Sequence, residues 1–475
     1  MTIGTARKRC LWLSAVAGLA LGIAGSASAE EETLTFVWHA GTCADAIVKI
    51  AERYPDKNVK IVPALVPYGP EWHGKIASEF AIKGDGFDFA MWDSQSTAEF
   101  AGAGHAYSIN KIFEDSDSLD ASLFPRASLA RYGEYPDNSG EFWGLPVNQD
   151  AYGFMYRKDL FEDPKEQAAF KEKYGYDLAV PQTYQQARDI AEFFTRPDQD
   201  LYGWGQMGGR EYDFATTASN SFLWSYGGEL YNPETFEVDG YLNSPASVDG
   251  VQAYVDMFEY GPPGSQNWGW DEVNAAWQQG KLAMAMQWYY FHGSNADPDV
   301  HPFAEVTGYA NLPGAVGRDG KFRRQFSVGG QGMGINVYSE KVPTLVKFME
   351  WYFQPEQQKE YAAVCQTGLK SVLESADWQN LNSYNKHFAK ALDYTNDYWH
   401  LPEYAILLDE LQDEVSNAIT GKKTVQQALD DAAKRHERTL RRAGYEIKRG
   451  DTKPEVPDQV ITPVGKDEVE VLTVN

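Results

Sequence analysis

The chain has 475 residues, a net charge of −26 and a hydrophobic fraction of 43%. That apolar content excludes wholesale disorder, and the length allows two or three domains with a sizeable core. A surface this acidic repels phosphate backbones and anionic lipid heads, which sets nucleic acid aside as a partner.

The first 29 residues have the order of an export signal. Arg7, Lys8 and Arg9 precede an apolar stretch at 11–24, and Ala27-Ser28-Ala29 offers small residues for cleavage. The apolar stretch is shorter than the roughly 20 residues a spanning helix needs. The expectation is a soluble periplasmic protein cut near Ala29. Its 39 remaining basic residues (42 less three) face 68 acidic ones, a net charge of −29. Cys10 leaves with the signal, so Cys43 and Cys365 remain. An oxidising compartment permits their pairing, and the sequence leaves it open.

Residues 34–38 alternate as a strand, and 44–54 follow as an amphipathic helix. A second strand spans 58–67, and Pro70 opens a helix to 82 in keeping with proline's tolerance in a first turn. A third strand covers 87–92, and Asp93-Ser94-Gln95-Ser96 has the composition of a helix start. This alternation predicts an α/β layer with mainly parallel strands, whose ligands sit beyond the carboxyl ends. That rule designates 39–42, 68–72 and 93–96. Further strands are predicted at 151–156, 201–207, 281–286, 307–312 and 326–337. Helices are predicted at 181–194, 219–226, 247–260 and 343–353, and over most of 366–443. The stretch from 448 to 475 is polar and acidic, expected as a loosely ordered tail.

Several motifs, in order, resemble one family. They include Phe87-Asp88-Phe89-Ala90-Met91-Trp92, Trp143-Gly144-Leu145-Pro146 and Pro181-Gln182-Thr183-Tyr184. Ala276-Trp277, followed by Gly280-Lys281-Leu282-Ala283-Met284, continues the series. Ser327-Val328-Gly329-Gly330 and Gly421-Lys422-Lys423-Thr424-Val425 complete it. Together they resemble the extracellular solute-binding proteins of ABC importers, in the carbohydrate-binding group that includes maltose-binding protein. The chain departs from the pattern at His105-Ala106, where leucines are usual, and at Tyr184, where Trp is usual.

The resemblance implies a two-lobed periplasmic-binding-protein fold with mixed sheets and a ligand cleft between the lobes. It implies one lobe from 30–148 with 304–354 and another from 149–303 with 355–447, hinged near 148–150. It also implies a monomer that delivers a neutral sugar, small oligosaccharide or polyol to the membrane permease subunits.

A sugar needs stacking planes and dense hydrogen bonding, and aromatic residues make up 14% of this chain. The first-lobe candidates are His39, Thr42, Glu71, Trp72, Asp93, Ser94 and Gln95. The second-lobe candidates are Asn148, Asp150, Tyr152, Arg210, Tyr212, Trp224, Trp288 and Tyr289, with Gly330 and Gln331 on the returning strand. Trp288-Tyr289 serves either as a stacking platform or as a core pair. Gly329-Gly330 permits close approach of ligand or marks a β-bulge. Asp93-Ser94 either contacts ligand or caps a helix.

No nucleophile elbow, zinc-protease helix or Walker loop occurs, so no catalytic residue, metal ligand or cofactor is assigned. The rival reading is a secreted glycoside hydrolase using a carboxylate pair such as Glu71 and Asp150.

Overall fold

The computed structural model describes residues 31–449, so the export signal and all of the acidic tail beyond 449 lie outside the described residues. Among the described residues, eight strands join in one sheet: Glu32–His39 (β1), Val59–Val66 (β2), Phe89–Asp93 (β3), Gly144–Arg157 (β4), Met284–Trp288 (β5), Thr307–Ala310 (β6), Phe326–Ile335 (β7) and Thr395–Asn396 (β8). The path runs β2-β1-β3-β7-β4-β5, with β6 also on β4 and β8 on β7.

Local chemistry explains the first units. β1 buries Leu34, Phe36, Val37 and Trp38 completely. The helix Thr42–Ala51 then covers the sheet with Cys43, Ala44, Ile47 and Ile50, a single apolar stripe. The helix Tyr184–Phe194 starts in a capping box: the Thr183 hydroxyl accepts the Gln186 N–H, and the Gln186 side chain accepts the Thr183 N–H.

Parallel pairing holds for β1 with β2 and β3, and for β8 with β7. The remaining pairs of the main sheet are antiparallel, which corrects the expectation of a mainly parallel layer. The cause is that β4 and β7 carry the chain from one lobe to the other and back. In β4, Leu145 and Val147 sit in the first core, whereas Ala151, Phe154 and Met155 sit in the second. In β7, Phe326 belongs to the second core and Met333 and Ile335 to the first.

A third segment crosses at 365–369, between Cys365 of the first core and Leu369 of the second. There the Gln149 backbone N–H donates to Gln366 O at 3.1 Å, and its side-chain amide donates to Thr367 O at 2.9 Å. β4 is thereby bonded at one level to both other crossings, through Gly330 of β7 and through 366–367.

Two segments beside these crossings join one core or the other. Residues 304–325 lie with the second lobe, because Thr307–Ala310 pairs with the far half of β4 and Leu312 and Ala315 join its core. Tyr361 and Cys365 join the first core, and Ala362 between them joins the second. The strand predicted at 201–207 is also corrected. It makes only isolated bridges: Leu201 with Arg196, Tyr202 with Leu282 and Gly205 with Ala285. Gly203 and Gly205 press their backbones against Ala191 and Leu282, too closely for any Cβ. Cys43 and Cys365 form a disulfide with Cα atoms 5.7 Å apart, fastening the first helix to the start of the third crossing.

Candidate functional site

Between the lobes lies a cavity of about 430 Å³. Its first-lobe wall is set by strand ends: β1 delivers His39, the loop after β2 delivers Tyr68, and β3 ends on Asp93 with Gln95 following. The crossing strands form its floor with Asn148, Asp150, Gly330 and Gln331. The second lobe closes it with Tyr212, Asp213, Trp270, Asp271, Trp288, Tyr290 and Phe291.

One hydrogen-bond chain runs through both lobes. Tyr361 donates to Asn148 Oδ1 (3.3 Å), Asn148 Nδ2 to Gln331 Oε1 (2.9 Å), and Gln331 Nε2 to Asp93 Oδ1 (3.2 Å). Tyr212 then donates from the second lobe to Asp93 Oδ2 at 2.5 Å, and Tyr68 donates to the Tyr212 oxygen at 3.3 Å. Asp93 therefore does not cap the next helix, whose N-cap residue Gln95 makes no side-chain bond either. Tyr212 holds φ at 52°, a left-handed conformation uncommon for a bulky side chain.

Trp288 tilts against Tyr152, ring centres 5.1 Å apart, and lies over Gly329, where a Cβ would meet the indole at 2.5 Å. Gly330 has φ 82°, and a Cβ there would stand 2.1 Å from Asn148 O. The β4–β7 register shifts between Pro146 and Asn148 beside it. Both glycines thus let side chain or backbone pack tightly at the crossing, and the irregularity is a bulge-like one.

Burial dominates the electrostatics. Asp150 accepts N–H groups from Ala151 (2.8 Å) and Tyr290 (3.3 Å), yet desolvation pushes its carboxyl up to about 8. Burial, with Asp93 nearby, pushes Asp213 up to about 7. Tyr398 donates to Asp213 Oδ2 at 3.5 Å, and Oδ1 is buried with no hydrogen-bond partner. Burial also raises Asp93 and lowers His39, so His39 is a neutral ring at pH 7.

Of the seventeen residues expected at the site, the cavity gathers His39, Asp93, Gln95, Asn148, Asp150, Tyr212, Trp288, Gly330 and Gln331. Trp72 lines an adjoining cavity of about 210 Å³, which shares Asp93, Gln95, Tyr212 and Asp213 with the first. The remaining seven are placed elsewhere. Thr42 and Glu71 are exposed in the first turns of their helices, and Ser94 is buried with an unpartnered hydroxyl. Tyr152 lies behind Trp288, and Trp224 is in the second core. Tyr289 is fully buried and donates to Ala310 O at 3.1 Å. Arg210 is exposed and donates from Nε to Asp413 at 2.5 Å. Sequence reasoning missed Tyr68, Asp213, Trp270, Asp271, Tyr290 and Phe291. The strand-end rule already designated the loop holding Tyr68, and Trp270-Asp271 opens a helix directly after Gly269.

The helix Trp270–Gln278 and the Tyr68 loop meet across the cleft with ring centres 5.5 Å apart. Among solved structures, a solute-binding protein of Agrobacterium radiobacter K84 in complex with ribitol aligns at TM-score 0.72 and 23% identity. That alignment covers 86% of this chain and 99% of that one. A maltose-bound MalE3 of T. maritima aligns at 0.70 and 23%, covering 86% and 100%. A solute-binding protein of Agrobacterium vitis S4 with bound D-mannitol aligns at 0.70 and 21%, covering 87% and 99%. A curated mannitol-binding protein of Pseudomonas aeruginosa is 27% identical over 182 residues, 37% of this chain and 38% of that relative's length. The family described as bacterial extracellular solute-binding protein matches residues 41–359. With two-thirds of its length inside that match, the chain belongs to the bacterial extracellular solute-binding proteins.

Proposed function

We propose that this protein binds a small sugar or sugar alcohol in the interlobe cleft and hands it, unchanged, to the membrane subunits of an ABC importer. The carrying observation is the cleft's lining. Six aromatic rings and a dense set of polar side chains surround about 430 Å³, near the lower end of the roughly 300–1,000 Å³ usual for small-molecule sites. Ring faces suit the C–H surface of a polyhydroxylated chain or ring, while Asp, Asn, Gln and His supply the hydroxyl partners. Ribitol, mannitol and maltose in the similar proteins are consistent with that chemistry. The three bonded crossings supply a hinge, and closure would present a two-lobe surface to the importer. Export to the periplasm, with cleavage near Ala29, fits the same role.

The hydrolase reading singles out no carboxylate pair, and of the example Glu71 and Asp150 only Asp150 lines the cavity. A calorimetric and thermal-shift panel of sugars and sugar alcohols tests the proposal. A ligand at 100 times its Kd should add about 2.7 kcal/mol of stability. Oligosaccharides held with the protein should show no new reducing ends. A flat response across the panel, or bond cleavage, would overturn it.

A further inference from the structure

The cleft is lined by carboxyl groups with no cationic side chain among them. Four aspartates line one cavity: Asp93 and Asp150 from the first lobe and the floor, and Asp213 and Asp271 from the second lobe. No lysine or arginine is among the described residues lining it. The nearest cationic candidate in sequence, Arg210, is turned to Asp413 instead. His39 is the sole histidine of the lining, and its buried ring is neutral.

Internal hydrogen bonds satisfy these carboxyl groups only in part. Asp93 is satisfied by Tyr212 and Gln331. Asp150 receives two backbone N–H groups on one oxygen. Asp213 is 8% exposed, and one of its carboxylate oxygens is buried without any partner. A desolvated carboxylate lacking a counter-charge is costly, and a ligand that brings positive charge removes that cost.

Resting on the sugar or polyol reading above, we propose that the preferred ligand is a polyhydroxylated compound bearing a protonated amine: an amino sugar or amino sugar alcohol. An ammonium group brings a positive charge and three donors to carboxylates, where a hydroxyl brings one donor and no charge. The rings of Tyr68, Trp270, Trp288 and Tyr290 line the same cavity, and an aromatic face there would attract the same cation. Burial raises Asp150 and Asp213 to about 8 and 7, and an ammonium beside them would draw both toward the ionised form. A bare metal ion is the weaker occupant, since among the described residues no three His, Cys, Asp or Glu side chains are grouped to ligate one.

Calorimetry on matched compounds tests this: sorbitol against 1-amino-1-deoxysorbitol, mannitol against its 1-amino analogue, and glucose against glucosamine and N-acetylglucosamine. The amine member of at least one pair should bind about tenfold tighter than its hydroxyl parent, and acetylation should abolish the gain. Asp213→Asn should shrink the amine-to-parent ratio toward one. Asp271→Asn, at a more open position on a helix start, should reduce it as well and guards against a folding defect at the buried site. Parents binding as tightly as their amines would overturn this proposal and leave the sugar or polyol reading intact. Failure of every sugar and polyol, charged or not, would take both down.

Discussion

At Gly330 the demands of hinge and site fall on one missing side chain. Its φ of 82° already disfavours an L-residue, by about 1–2 kcal/mol. An added methyl would also stand 2.1 Å from Asn148 O and 2.7 Å from the Asp150 N–H, both backbone atoms that cannot swing aside. Gly330→Ala should therefore lose that backbone cost plus about 1–3 kcal/mol of overpacking, and ligand affinity should fall with it as Asp150 shifts. Gly240→Ala makes the control, since Gly240 shares the positive φ but has open space around it. Chemical denaturation of the two variants separates strain from clash, and equal losses would refute the clash.

The same scale shows what single residues did and did not disclose. His39, Asp93 and Asp150 lie at strand ends or the crossing, places the sequence marks. Tyr289 was indistinguishable from Trp288 beside it, because adjacent side chains leave a strand end in different directions. Trp224 was hidden for a different reason: the helix Phe214–Ser225 is buried on every face, so no polar stripe marks which side meets a ligand.

At the scale of elements, the strand–helix alternation of the first lobe was legible because each unit satisfies itself locally. The crossings were not. β4 runs for 14 residues, nearly all buried, and only its apolar second half reads as a strand in the sequence. Where it leaves one core for the other depends on partners more than a hundred residues away, which local periodicity does not carry. The disulfide belongs here too. Cys43 and Cys365 are 322 residues apart in sequence, and the third crossing brings them together. Replacing both by serine should cost about 2–4 kcal/mol, through a less constrained unfolded chain. Equilibrium unfolding with and without reductant measures this. An unchanged midpoint in the double variant would show that the bond adds nothing to the first lobe.

For the whole molecule, the proposed binding role requires lobes that open and close, and besides the three crossings interlobe side chains join the lobes in this structure. Tyr212 bonds Asp93, Ser96 meets Tyr404 at 3.2 Å, and Arg131 donates to Thr395 O at 3.2 Å. The fourth contact titrates. His400 of the second lobe is bonded by Asp137 of the first at 2.5 Å and by its own Asp397 at 3.1 Å. Burial alone would lower this imidazole, but the two carboxylates outweigh it and raise it from 6.5 to about 10. Opening removes Asp137, so the open form holds the proton less tightly. A raised value in the closed form contributes closure that is complete below about 6.5 and lost as pH rises through about 10. Small-angle scattering of the unliganded protein should show a radius of gyration that is constant up to near neutral pH and grows toward pH 10. Asp137→Asn should already be expanded at pH 7 and lose that rise, with far-UV dichroism confirming that both lobes remain folded. Because only the closed fraction grips ligand fully, the same variant should weaken binding in proportion to the closed population it loses. A wild-type radius unchanged between pH 6 and 10 would mean that the Asp137–His400 pair plays no part in holding the lobes together.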